Sequence, residues 1–250
     1  MFRTNDSLNP TINSRIIEYD IKSGNTSIMK YFHLRPITLV KELEKLEKKD
    51  RVVTIGKMMR DDKDFSRQLE ESFDQIVKIF IRENHLNDDD IISIKRDAVF
   101  VKIKNINQTI FGNDVVFIPK NEYVGFIKLK NLEFWIKDKK GVDVKGISDE
   151  LLLLHENGIL SLIRYIYECA SNYGMEKNKM NKVFSELLQS YKNRELEFDV
   201  YREFNSESKF KILMMNQFVM MDTITESFLD RCDIRYNFEN ILVPLIRMFC

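Results

Sequence analysis

At Ile91 the sequence changes period. Before that point apolar residues recur three and four apart. From Ile91 to Trp135 they gather instead into short β-branched and aromatic runs separated by polar breaks. Runs of this kind cannot be the face of one long helix. Several of them in series, with no helical stretch between, predict an antiparallel sheet. The expected strands are Ile91–Ile94, Ala98–Ile103, Val115–Ile118, Tyr123–Leu129 and Leu132–Ile136, with Phe111-Gly112-Asn113-Asp114 as a turn.

The flanks are mostly helical. Arg15 to Ile21 reads as a short strand ending near Asp20, and Asn25 to Phe32 as the start of a helix, which Arg35-Pro36 interrupts. Leu39, Val40, Leu43 and Leu46 lie at helical spacing after Thr38. Phe65 to Asn84 is an amphipathic helix with Phe65, Leu69, Phe73, Ile76, Val77 and Phe80 on one face. Arg51 to Lys57 fits either period. The acid run Asn87-Asp88-Asp89-Asp90 reads as a solvated connector rather than a metal site. After Gly146, helical patterns are expected at about 149–173, 178–191 and 207–229, followed by an apolar segment from Ile234 to Phe249 that contains Pro244. The fold class is therefore α+β, with a mixed domain at 1–147 and a mostly helical domain at 148–250. Only 8 glycines and 4 prolines in 250 residues favour long regular elements.

Charge excludes one easy inference. Lysine plus arginine and aspartate plus glutamate are both 39, so any basic surface for a polyanion must be local. The three cysteines, Cys169, Cys232 and Cys250, are widely spaced and read as reduced thiols. The three histidines are scattered, which argues against zinc. No signal-like or membrane-spanning run is read, so a cytoplasmic location is expected, that of a host cell if the protein is viral.

Two aspartates in strand contexts draw attention. Asp20 ends a short apolar run and precedes small and hydroxyl residues, and Asp97 sits inside the run Ile91–Val101. Read alone, Asp20 begins a loop and Asp97 is a turn residue. Taken with other stretches, they resemble motifs of family B DNA polymerases. Asp20-Ile21-Lys22-Ser23-Gly24-Asn25-Thr26-Ser27-Ile28 is similar to the first palm motif, D-x-x-S-L-Y-P-S-I. Ser93-Ile94-Lys95-Arg96-Asp97-Ala98-Val99-Phe100-Val101 resembles Y-G-D-T-D-S-V-F-V at its second aspartate. Lys120-Asn121-Glu122-Tyr123-Val124-Gly125 looks like K-K-R-Y-x-G, and Asp143-Val144-Lys145-Gly146 like D-x-K-G. Tyr236 to Arg247 is similar to a tyrosine-rich thumb segment.

The resemblance implies a polymerase-like palm with an antiparallel sheet and packed helices at 1–147, fingers reduced to about 35–84, and a thumb-like helical lobe at 148–250. It implies that Asp20 and Asp97 are the catalytic pair and hold Mg2+ or Mn2+. Ser23, Asn25, Lys57 and Arg60 would meet a nucleoside triphosphate, and Lys120, Tyr123 and Lys145 a primer–template. The implied function is nucleotide transfer by a two-metal mechanism, without the proofreading domain that precedes the palm in the family. Asn25 replaces the tyrosine that excludes a 2′-hydroxyl, Ile94 replaces a turn glycine, and Lys95 replaces the first aspartate of the second motif. These departures and the short fingers keep an alternative open: a catalytically reduced relative that binds nucleic acid or assembles with a protein partner supplying the missing parts. For Lys57, Arg60 and Lys120 the bland reading is a solvated cation, and for Tyr123 a half-buried strand residue.

Overall fold

The computed structural model describes residues 2–102, 106–129, 132–138, 141–146, 163–164, 167–168, 170–172, 177–193, 195, 211–214, 217–220 and 243–244. The chain divides into two compact units, Met1–Asn9 with Ser14–Tyr123, and Pro10–Asn13 with Val124–Cys250.

The first unit is built on a six-stranded antiparallel sheet. In chain order its strands are β1 (Phe2–Thr4), β2 (Ile16–Ile21), β3 (Ile91–Lys95), β4 (Ala98–Lys102), β5 (Ile110–Phe111) and β6 (Val115–Tyr123), and in space the order is β1-β3-β4-β2-β6-β5. Between β2 and β3 come four helices: α1 (Gly24–Tyr31), α2 (Ile37–Lys45), α3 (Lys48–Asp61) and α4 (Lys63–Glu83). The pleat sends Tyr19 and Ile21 of β2 into one core with Val99 and Val101 of β4, Val115 and Phe117 of β6, and residues of all four helices. The alternate residues Glu18 and Asp20 stand on the opposite face.

α4 supplies the largest share of the helical side of this core. All six apolar residues expected on its face are buried, at 1% exposure or less. Full burial of each side chain of this size is worth about 1.5–3 kcal/mol. Phe80 stacks on Phe117 at 4.3 Å between ring centroids and also meets Tyr19 and Phe111. The Asp62 carboxylate caps the helix by accepting the Phe65 N–H at 2.9 Å. Asn84 closes the other end. Its side chain accepts from the N–H groups of Asn107 and Gln108 and donates to the carbonyls of Phe80 and Gln108.

Several expectations are corrected. The ambiguous Arg51–Lys57 stretch is helical, within α3. Its β-branched run imitates a strand, yet only Ile55 is buried while Val52 and Val53 stay half exposed. The expected break between Val115–Ile118 and Tyr123–Leu129 falls elsewhere: β6 runs through Pro119 to Tyr123, and the next strand starts at Gly125. β5 covers only Val115 and Val116, so among the described residues β6 is an edge strand beyond Phe117. On an edge, proline's missing N–H costs no ladder bond. β1, unread in the sequence because three residues have no period, pairs with β3 through Phe2↔Lys95 and Thr4↔Ser93. The acid run at Asp88–Asp90 is an exposed 3-10 turn closed by a capping box from Asn87, as a connector should be.

The second unit contains a three-stranded antiparallel sheet of β7 (Gly125–Leu129), β8 (Leu132–Ile136) and β9 (Val142–Lys145). Phe126 and Trp135 pack at 4.4 Å, and Lys145 Nζ lies 5.7 Å from the Trp135 ring centre. Helix α5 (Lys177–Lys192) matches the expected 178–191. The helix expected at 207–229 is corrected: Lys211–Met214 (β10) and Gln217–Met220 (β11) form an antiparallel pair. Ile212, Phe218 and Val219 suit strands, and an apolar run this short carries no decisive period. Most of 149–173, and the 234–249 segment apart from 243–244, lie outside the described residues.

Candidate metal centre

Asp20 and Asp97 come together through sheet register. Asp20 lies opposite Ala98 of β4 on one side and Ile118 of β6 on the other. Asp97 immediately precedes Ala98, in the two-residue turn Arg96-Asp97 that joins β3 to β4. The turn is tied to the end of β2, where the Ile21 N–H donates to the Asp97 carbonyl at 3.0 Å. Tight hairpins need a positive φ in their turn, and Arg96 supplies it at 47°.

The chain then reverses sharply from β2 into α1. Ser23 takes the left-handed conformation, with φ 51°. The Ser23 carbonyl accepts the Ser27 N–H and the Thr26 hydroxyl, both at 3.1 Å, and Ser27 Oγ donates to the Lys22 carbonyl at 2.8 Å. The hydroxyl-rich sequence after Asp20 is thus what holds the reversal. A non-glycine residue in this conformation costs roughly 1–3 kcal/mol, and such strain gathers at functional sites. Gly24 opens α1 close to the Asp97 carboxylate, where an added Cβ would stand 3.3 Å from Oδ2.

Charge is distributed unevenly around the pair. The Asp97 carboxyl is held above the usual carboxylate range, chiefly by burial and next by the negative charge of Asp20. Lys120 Nζ lies 2.7 Å from Asp20 Oδ2, and this bond raises the lysine above its ordinary range. Lys120 stands at a β-bulge. Glu18 pairs with Asn121 and Tyr19 with Pro119, which leaves Lys120 as the extra residue. The bulge is braced from beneath. Buried Glu18 Oε2 accepts from Asn121 Nδ2 at 2.6 Å and from the Tyr123 hydroxyl at 3.1 Å. A groove of about 670 Å³ runs beside Lys120, lined by Ile17, Tyr19, Ile106 and Pro119 among others.

The remaining expected residues are scattered in role. Asn25, half-buried in the first turn of α1, accepts from Arg96 Nη2 at 3.3 Å. The Arg96 guanidinium also meets Glu70 at 3.1 Å and lies 4.5 Å over the Phe73 ring, so it faces α4. Lys57 and Arg60 are exposed on α3, where Arg60 pairs with Asp61. Tyr123 is 1% exposed and committed to Glu18, a buried strand residue with little surface for a duplex. Lys145 belongs to β9 of the second unit. Lys95, which would weaken cation binding if aimed at the acids, bonds Thr4 Oγ1 at 3.3 Å, on the side of β3 away from β2. Sequence reasoning passed over Glu18 and Gly24. Glu18 was readable, since it lies two residues before Asp20 on the same strand face.

Among the described residues no three His, Cys, Asp or Glu side chains form a cluster able to hold a metal by themselves. Two carboxylates nonetheless suit Mg2+ or Mn2+, which keep several waters and accept the rest of their oxygens from substrate phosphates. The donor set fits an ion that binds together with a phosphate-bearing substrate and does not fit a permanent structural ion.

No curated protein and no solved structure matches the chain. A family does match, over residues 3–250, described as Bacteriophage PBS1 gene 130 protein. It is not a DNA polymerase family, and the identification with family B polymerases is thereby corrected. The motifs behind that identification are short, and their fixed positions are residue types that strands and turns use for local reasons. Ser23 and Ser27 serve the turn, and Tyr123 serves the core. Among the described residues no helix is long and apolar enough to cross a membrane. The chain belongs to the Bacteriophage PBS1 gene 130 protein family.

Proposed function

We propose that the first unit carries a divalent-cation-dependent site for nucleotidyl transfer, acting on a primer–template nucleic acid and nucleoside triphosphates. The observation that carries this reading is the convergence of Asp20 and Asp97 at one end of a sheet face whose opposite side is packed with helices. The finer architecture that goes with it is a palm-like sheet in the first unit. The reading rests on the acid pair and not on kinship with polymerases.

In this reading Asp20 and Asp97 hold Mg2+ or Mn2+. The ion supplies activation of the attacking hydroxyl and stabilisation of the leaving oxygen. The protein's own residues do the rest. Ile21 fixes the turn that carries Asp97, and Asn25 holds Arg96 so that the turn keeps its shape. Lys120, exposed beside Asp20, is placed to meet a phosphate. Such contacts position a nucleic acid without reading its sequence.

A second reading is a nucleic-acid-binding or assembly component without catalysis, favoured by the Lys120 ammonium on Asp20 and by the lack of a third acid among the described residues. Primer extension with Mg2+ or Mn2+ separates the two. Extension by the wild type that Asp97→Ala abolishes supports nucleotidyl transfer. Salt-sensitive duplex binding without extension supports the second reading. Neither extension nor binding refutes both.

A further inference from the structure

We propose that Lys120 is the resident counter-ion of the carboxylate site, holding Asp20 through its ammonium until a divalent cation displaces it. The inference rests on the reading of Asp20 and Asp97 as cation ligands.

Lys120 Nζ sits 2.7 Å from Asp20 Oδ2, the distance of a direct charge-assisted bond. An ammonium and a divalent ion on the same carboxylate repel each other strongly at such separations. A cation bound through Asp20 Oδ2 therefore displaces the lysine. The lysine is able to leave, since its side chain is 53% exposed against 20% for Asp20. Its stem is flexible and its charge is readily hydrated.

The placement is built into the sheet. The register shift between Glu18 and Tyr19 makes Lys120 the unpaired residue of β6. Glu18 pins the frame on which that shift depends, through Asn121 and Tyr123. Asp97, close by, has no such cation bonded to its carboxylate oxygens among the contacts of the described residues. Arg96 and Lys120 act on it only through space. The site thus holds two acids with one of them covered. A released Lys120 keeps three N–H donors beside the acid pair, free for phosphate oxygens. Cation entry and phosphate capture are then two consequences of one movement.

The test is Mn2+ binding, followed by electron paramagnetic resonance on the full chain without nucleotide. Lys120→Met, at an exposed position, should bind Mn2+ roughly two- to fivefold more tightly than the wild type, the range expected for releasing one partly exposed ion pair. Lys120→Arg, which keeps the charge, should bind close to the wild type. Equal or weaker binding by Lys120→Met overturns the proposal. Asp97→Asn distinguishes the failures. If it weakens Mn2+ binding while Lys120→Met leaves it unchanged, only the counter-ion role fails. If Asp97→Asn has no effect, the acid-pair reading fails and the proposal with it.

Discussion

The Asp97 carboxylate lies against the backbone of Gly24, so that a Cβ at residue 24 would stand 3.3 Å from Oδ2 and 3.4 Å from the Phe73 ring. The approach to Oδ2 is tighter than an ordinary side-chain contact, so one of the two must give by a few tenths of an ångström, while the distance to Phe73 is at the edge of ordinary contact. Phe73 is locked in the core at 1% exposure, which leaves the carboxylate to move. Gly24→Ala should therefore keep the fold, since the crowding falls on one half-buried side chain. Its Mn2+ affinity should fall by roughly tenfold, because small misplacements of ligands are expensive at such sites. Unchanged affinity, measured beside an unchanged circular dichroism spectrum, would show that Gly24 does not set the position of Asp97.

The raised pKa of Asp97 makes a stability prediction with a definite sign. Burial first, and the charge of Asp20 second, favour its protonated form in the folded state. The associated stability is fully present below the unfolded pKa and is lost as pH rises through the raised folded value. Asp97→Asn cannot ionise, so its melting temperature should climb relative to wild type as pH passes through that window toward neutral. At this chain length each kcal/mol moves Tm by roughly 2–4 °C. Thermal unfolding from acid to neutral pH reads the difference directly, and a gap independent of pH would contradict the prediction. The same shift means that cation binding should weaken as pH falls through the window, since the ion must displace a proton.

The core prediction concerns Phe80. It is fully buried and touches three aromatic rings contributed by β2, β5 and β6. Phe80→Ala should destabilise the first unit by about 3–5 kcal/mol in denaturant unfolding. A loss under 1 kcal/mol would mean that the sheet and α4 repack around the cavity.

Legibility followed the strength of local patterns. α4 was readable because Phe65, Leu69, Phe73, Ile76, Val77 and Phe80 repeat over about four turns, and each proves to be buried. β3 and β4 were readable from their β-branched runs. The β10–β11 pair was not, because Lys211 to Met220 is too short to show a period. At the site, the sequence pointed to both Asp20 and Asp97, but through an analogy that the family match corrects. What joins the two in space is the pairing of β2 with β4, a long-range register that no local pattern encodes. The ion pair from Lys120 to Asp20 was equally hidden, since it depends on a bulge one residue long.

The most direct test of the central claim is a crystal structure with Mn2+, read by anomalous scattering. The account predicts a peak within coordination distance, about 2.1 Å, of carboxylate oxygens from both Asp20 and Asp97, with Lys120 turned away from Asp20. No peak between the two carboxylates at saturating Mn2+ and nucleotide, or a peak confined to surface acids such as Asp88 to Asp90, would contradict it.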